Sequence, residues 1–167
     1  QMTDFIAAEC GIRQLMGRYA DAVWRQDSAA FGECWTEDAL WKIAGREAKG
    51  RAEIAALFEM SVAPNERVMM WAGIPVIELG EGGRLATGRV QITELIKRKS
   101  GEAFRTLALY YDHYREDDGC WRFARRHFNM YYMGAPDLSD GIFPGVLEYG
   151  PPPGMSGPDD PTPVKPA

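Results

Sequence analysis

The sequence predicts an α+β fold: a cone-shaped, strongly bent antiparallel sheet wrapped over a long N-terminal helix and two shorter helices. Three observations lead there. Residues 4–26 carry one apolar stripe at helical spacing. From Glu66 onward the apolar period becomes that of a strand. The run Ala103 to Gly134 then reads as one long hairpin, closed at Glu116-Asp117-Asp118-Gly119.

In the first helix Ile12, Leu15, Met16, Tyr19 and Val23 share a face, while Arg13, Gln14, Arg18 and Asp21 lie off it. Asp27-Ser28 caps a short helix from Ala29 to Trp35. A strand follows over residues 39–44, then a turn flanked by Gly45 and Gly50. A third helix over residues 51–60 puts Ile54, Leu57 and Phe58 on one side. The next strand, starting at Glu66, is interrupted at Gly73-Ile74-Pro75. A proline cannot donate to a ladder, so this strand belongs at an edge or a bulge. Gly80-Glu81-Gly82-Gly83 turns the chain into a strand over residues 84–97, and Ser100-Gly101 turns it into the hairpin. The expected order is helix, helix, strand, helix and a four-stranded meander. Residues 1–134 make the cone. Residues 135–150, still apolar in places, are expected to dock on it as an extension. Residues 151–167 form a proline-rich tail.

The hairpin carries the candidate chemistry. Thr106, Ala108, Tyr110 and Asp112 share a face. In the second strand the apolar parity switches, from Trp121 and Phe123 to Phe128, Met130 and Tyr132, which predicts a bulge near Arg125-Arg126. Centring the turn on Asp117-Asp118 pairs Tyr114 with Trp121 and Asp112 with Phe123. Beyond the bulge it puts Arg126 inward, roughly opposite Tyr110. A buried arginine needs a partner. It either closes an ion pair with Glu94 or Asp112, or holds an anionic oxygen as a fixed charge. Tyr19 and Tyr110 are either core phenols or groups that orient a substrate hydroxyl and move its proton. Trp24, Trp41, Met70, Ile92, Phe128 and Met130, with Thr106 and Ala108, form either plain core or the wall of a site for a flat apolar ligand. His113 and His127 have the opposite parity and belong on the convex face.

Composition narrows the classes. The net charge of −5 disfavours a nucleic-acid partner. The three cysteines form no CxxC pair, which disfavours a disulfide framework or zinc site and fits reduced thiols in the cytoplasm. No apolar run has membrane length. No HExxH, GxSxG or phosphate-loop pattern occurs, so no metal, nicotinamide or nucleotide cofactor is expected.

The stretch IRQLMGRYADAVWRQDSAAFGECWTEDALWKIAGREAKG (residues 12–50) and the hairpin segment DDGCWRFARR resemble the SnoaL-like family of the nuclear-transport-factor-type cone fold. The flavour is that of scytalone dehydratase, bile-acid dehydratase and hexachlorocyclohexane dehydrochlorinase. The resemblance implies a cofactor-independent lyase and a homo-oligomer, a trimer being favoured. It also implies pocket roles for Tyr19, Trp41, Tyr110 and Arg126. The His–Asp dyad of those relatives does not carry over: its acid falls at Trp24 and its histidine at Met70, and Ile74 stands where an asparagine often follows.

Three functions fit. The first is dehydration or deformylation of a small hydrophobic, phenolic substrate such as a lignin-derived diaryl compound, with Tyr19, Tyr110, Arg126, Glu94 and Asp112 as the reacting set. The formaldehyde-lyase version comes from the resemblance. The others are a polyketide-type cyclase or isomerase, and a non-catalytic small-molecule binding module.

Overall fold

Helix α1 (Met2–Arg25) sets the frame of the molecule. The computed structural model describes residues 2–140. The α1 stripe expected from the sequence is the buried one: Ile12 and Leu15 are fully covered, and Met16, Tyr19 and Val23 nearly so. Arg13, Gln14, Arg18 and Asp21 are exposed. Asp27 caps α2 (Ser28–Glu33), its carboxylate accepting from the Ala30 amide at 2.9 Å. Phe31 of α2 stacks on Phe58 of α3 (Arg51–Val62), with ring centroids 3.9 Å apart and planes 6° from parallel. Burying such a ring contributes about 2–3 kcal/mol, enough to fix two short helices that would not persist alone.

The strands are β1 (Trp35–Ile43), β2 (Arg46–Lys49), β3 (Asn65–Ala72), β4 (Val76–Leu79), β5 (Leu85–Arg98), β6 (Ala103–Asp117) and β7 (Cys120–Gly134). They form one curved, unclosed sheet in the order β2-β1-β7-β6-β5-β3, with β4 also on β5. The meander β3, β5, β6, β7 is the expected one. β3 and β4 lie one after the other along the same edge of β5, separated at Gly73-Ile74-Pro75. Two features differ from expectation. The stretch 46–49 is a strand, not part of a turn; Arg-Glu-Ala-Lys has too little apolar alternation to announce one. And β1 pairs parallel to β7, Trp41 beside Arg126, a contact between residues distant in sequence.

The hairpin register also needs correcting. Asp118 and Gly119 are the central turn residues, with φ of 53° and 77°. Two positive φ values are the mark of the tight Asp-Gly hairpin turn, whose twist matches that of the strands. The turn centre thus lies one residue later than expected. Tyr114 faces Phe123, Asp112 faces Arg126 and Tyr110 faces Phe128. The expected bulge is present, between the pairs His113–Arg125 and Tyr114–Phe123, and a second lies beyond Ala108–Met130.

The core fills the space between α1 and the concave face. Of the expected docked extension 135–150, only residues up to Asp140 are described; the tail 151–167 lies outside the described residues. Among the described residues no helix is long and apolar enough to cross a membrane.

Candidate functional site

Strand alternation places the sheet's candidate residues on one face, the concave one. Met70 of β3 faces Glu94 of β5, and Glu94 faces Thr106 of β6. In the next row Ile92 faces Ala108, and Ala108 faces Met130. Tyr110 faces Phe128, and Asp112 faces Arg126, which in turn lies beside Trp41. Tyr19 comes down onto this face from α1. His113 and His127 point to the convex side, as their parity requires.

Arg126 is the centre of the cluster and is wholly buried. Its Nε donates to Asp112 Oδ1 at 2.7 Å and its Nη2 to Oδ2 at 3.0 Å. Tyr114 donates to the same Oδ2 at 2.9 Å. The guanidinium carbon lies 3.7 Å from the centroid of the Tyr110 ring, 4.0 Å from Phe123 and 4.6 Å from Tyr19. The charge is therefore both paired and sandwiched between rings. Burial pushes the Asp112 carboxyl up and Arg126 pulls it down. For Arg126, burial acts downward, but Asp112 and the two phenols outweigh it and the net direction is up. The two short charge-assisted bonds mark an ionised pair. Nη1 has no acceptor among the described residues. Of the two partners the sequence offers Arg126, the structure pairs it with Asp112 and leaves Glu94 apart.

The phenols form their own unit. The hydroxyls of Tyr19 and Tyr110 lie 3.3 Å apart. Burial pushes Tyr110 up to about 12, with Arg126 and the Tyr19 hydroxyl opposing. The Trp41 indole N–H favours the Tyr110 phenolate without closing a hydrogen bond of normal geometry. Tyr19 is raised as well, by burial and then by Tyr110.

Glu94 is different. Its side chain is half-buried, and its carboxyl has no hydrogen-bond or ionic partner among the described residues. Burial alone raises it to about 7. A carboxyl that titrates near neutrality and keeps its lone pairs free suits proton transfer. Its charge is felt by both phenols.

Trp24 and Met70, the positions at which the resemblance puts a dyad, do meet. The Trp24 indole donates to the Met70 carbonyl at 2.8 Å. Neither side chain can take a proton, and Trp24 is 44% exposed on the flank of α1. A cavity of about 610 Å3 opens there between α1 and β3, floored by Met16, Gly17 and Met70. Phe128 and Met130 instead line a cavity of about 460 Å3 against the β1–β2 turn. The candidate residues thus divide into a sealed polar cluster and two apolar walls. Among the described residues, no three His, Cys, Asp or Glu side chains are grouped so as to hold a metal ion.

Two kinds of residue escaped the sequence reading. Tyr114 shares its face with Asp112, so its parity was a usable signal. Gly17 and Trp71 gave none, and Met16 was legible only as part of the α1 stripe, because the cleft they line exists only once α1 lies along β3.

Similar solved structures share this architecture. A hexachlorocyclohexane dehydrochlorinase of LinA type 2 superposes with a TM-score of 0.74 at 19% identity, over 87% of this chain and 100% of that one. A provisionally named scytalone dehydratase from Novosphingobium aromaticivorans gives 0.76 at 15% identity, over 89% and 100%. The LinA-type 3 dehydrochlorinase of Novosphingobium barchaimii gives 0.73 at 18%, over 86% and 100%. At these identities the likeness establishes the fold. No curated protein matches the chain significantly. The family profile described as the SnoaL-like domain matches residues 5–127, so the chain belongs to the SnoaL-like domain family.

Proposed function

We propose that the protein is a cofactor-independent lyase acting on a small phenolic aromatic alcohol, with loss of water or formaldehyde. The observation that carries this reading is Glu94, an unpartnered carboxyl raised to about 7 between Met70 and Thr106 on the concave face. In the dehydration, the Glu94 carboxylate takes the phenolic proton. The electron pair moves through the ring, the benzylic carbon–oxygen bond breaks, and the departing oxygen takes a proton from solvent to leave as water. The organic product is a quinone methide. Glu94 then releases the phenolic proton to solvent, which balances the proton taken up. Tyr19, Tyr110 and Arg126 stay sealed and exchange no proton with the substrate, while Asp112 and Tyr114 hold the Arg126 guanidinium in place. Neighbours in fold named as a dehydratase and dehydrochlorinases agree with an elimination.

The test is product analysis by mass on a panel of hydroxybenzyl and diaryl alcohols. Expected are loss of water or formaldehyde, a kcat/KM that rises with pH through about 7 as Glu94 becomes a base, and a fall of about 10²-fold or more in Glu94→Gln. Turnover that survives Glu94→Gln, or no mass change with any of these alcohols, would overturn the lyase reading. A second reading, a binding module, is favoured by the non-titrating Trp24–Met70 pair; it requires ligand binding with no change of mass.

A further inference from the structure

The cleft between α1 and β3 has features that packing alone does not explain. Arg13, Gly17, Ala20 and Trp24 follow one another along a single flank of α1, separate from its buried stripe. Gly17 sits inside a 24-residue helix, where glycine is unfavourable. A Cβ built at Gly17 meets nothing within 4 Å, so no neighbouring atom demands the glycine. What its absent side chain leaves is open volume in a cavity of about 610 Å3, a size usual for a small-molecule site.

The wall of that volume is aromatic and fixed. The Trp24 indole is held by its bond to the Met70 carbonyl, and its ring meets Trp71 at 88° with centroids 5.3 Å apart. Both rings nevertheless stay nearly half exposed, 44% and 46%. Two large rings at a right angle make a corner into which a flat ligand can lay one face and one edge. Met16 and Met70 supply a soft floor.

The charges are uneven. Asp21 is engaged by Arg25 at 2.9 Å. Arg13, one turn from Gly17, has no acidic partner among the described residues. The cleft therefore presents a net cation at one end.

We propose that this cleft binds a flat aromatic carboxylate, with its ring in the Trp24–Trp71 corner, over Gly17, and its carboxylate at Arg13. The lyase reading bears on this only in making such a ligand a substrate; binding stands without turnover. Met16 lies between the cleft and the buried polar cluster, its sulfur 3.9 Å from Arg126 Nη2.

The probes are 2-naphthoate and its neutral analogue 2-naphthylmethanol, titrated calorimetrically against the full chain. The wild type is expected to prefer the carboxylate by about fivefold, the size of one exposed charge contact. Arg13→Gln, an exposed substitution that leaves folding alone, removes the preference and keeps the binding of the alcohol. Gly17→Leu fills the cleft and loses both ligands, with circular dichroism confirming the fold. The proposal fails if neither probe binds the wild type, if the preference survives Arg13→Gln, or if folded Gly17→Leu binds as before. Binding through Arg13 and Gly17 without turnover of any phenolic alcohol sinks the lyase reading and upholds the cleft. Turnover with naphthoate binding unchanged in both variants does the reverse.

Discussion

The Glu94 carboxyl couples the stability of the fold to pH. Burial raises it from 4.5 to about 7, so the folded protein holds this proton more tightly than the unfolded chain. The stabilisation is complete below 4.5 and is lost as pH rises through about 7. At about 1.4 kcal/mol per tenfold change in affinity, a fully desolvated group would forfeit about 3 kcal/mol. Glu94 is half-buried, and water screens part of the penalty, which leaves about 1–2 kcal/mol. The assay is urea unfolding of the wild type and Glu94→Gln at about pH 5 and about pH 8. Glutamine keeps the shape and removes the titration. The wild type should lose about 1–2 kcal/mol more than Glu94→Gln over that interval, and the variant should be the more stable protein at the higher pH. Other titrating groups, Asp112 among them, act equally in both proteins and cancel in the difference. An equal loss in the two proteins would refute the desolvation of Glu94 and with it the basis for making it a base.

Two further perturbations probe the scaffold. Asp112→Asn leaves the buried Arg126 uncompensated and should cost about 3–5 kcal/mol, whereas Asp112→Leu combined with Arg126→Met should cost far less than the sum of the single changes, a coupling read from a double-mutant cycle of denaturation curves. Gly11→Ala puts a Cβ 2.3 Å from Trp121 Cδ1 and should destabilise by about 1–3 kcal/mol. Gly17→Ala, with nothing in its way, should raise stability by about 0.5–1 kcal/mol, so thermal melts of the two should shift in opposite directions.

The direction in which each side chain points was legible before any fold was known. Strand alternation put Thr106, Ala108, Tyr110 and Asp112 on one face and His113 on the other, and the parity switch in β7 located a bulge and turned Arg126 inward. The α1 stripe was equally plain. These are local properties, set by a period of a few residues. The partner of Arg126 was not legible, because it hangs on register. Reading Asp118-Gly119 as the turn centre moves every cross-strand neighbour by two positions and substitutes Asp112 for Tyr110. That Asp-Gly signal was present in the sequence and was outweighed by a turn centred on the two aspartates.

Sequence alone thus determined the α+β cone, the inward phenols and guanidinium, and the absence of a histidine from the inner face. Tertiary structure decided which charge Arg126 meets, that Glu94 is left alone to feel its burial, that β1 runs parallel to β7, and that α1 and β3 leave a cleft at Gly17. The division has one physical cause. Periodicity fixes orientation within an element, whereas pairing, desolvation and empty space arise between residues far apart in the chain, and only the assembled fold brings them together.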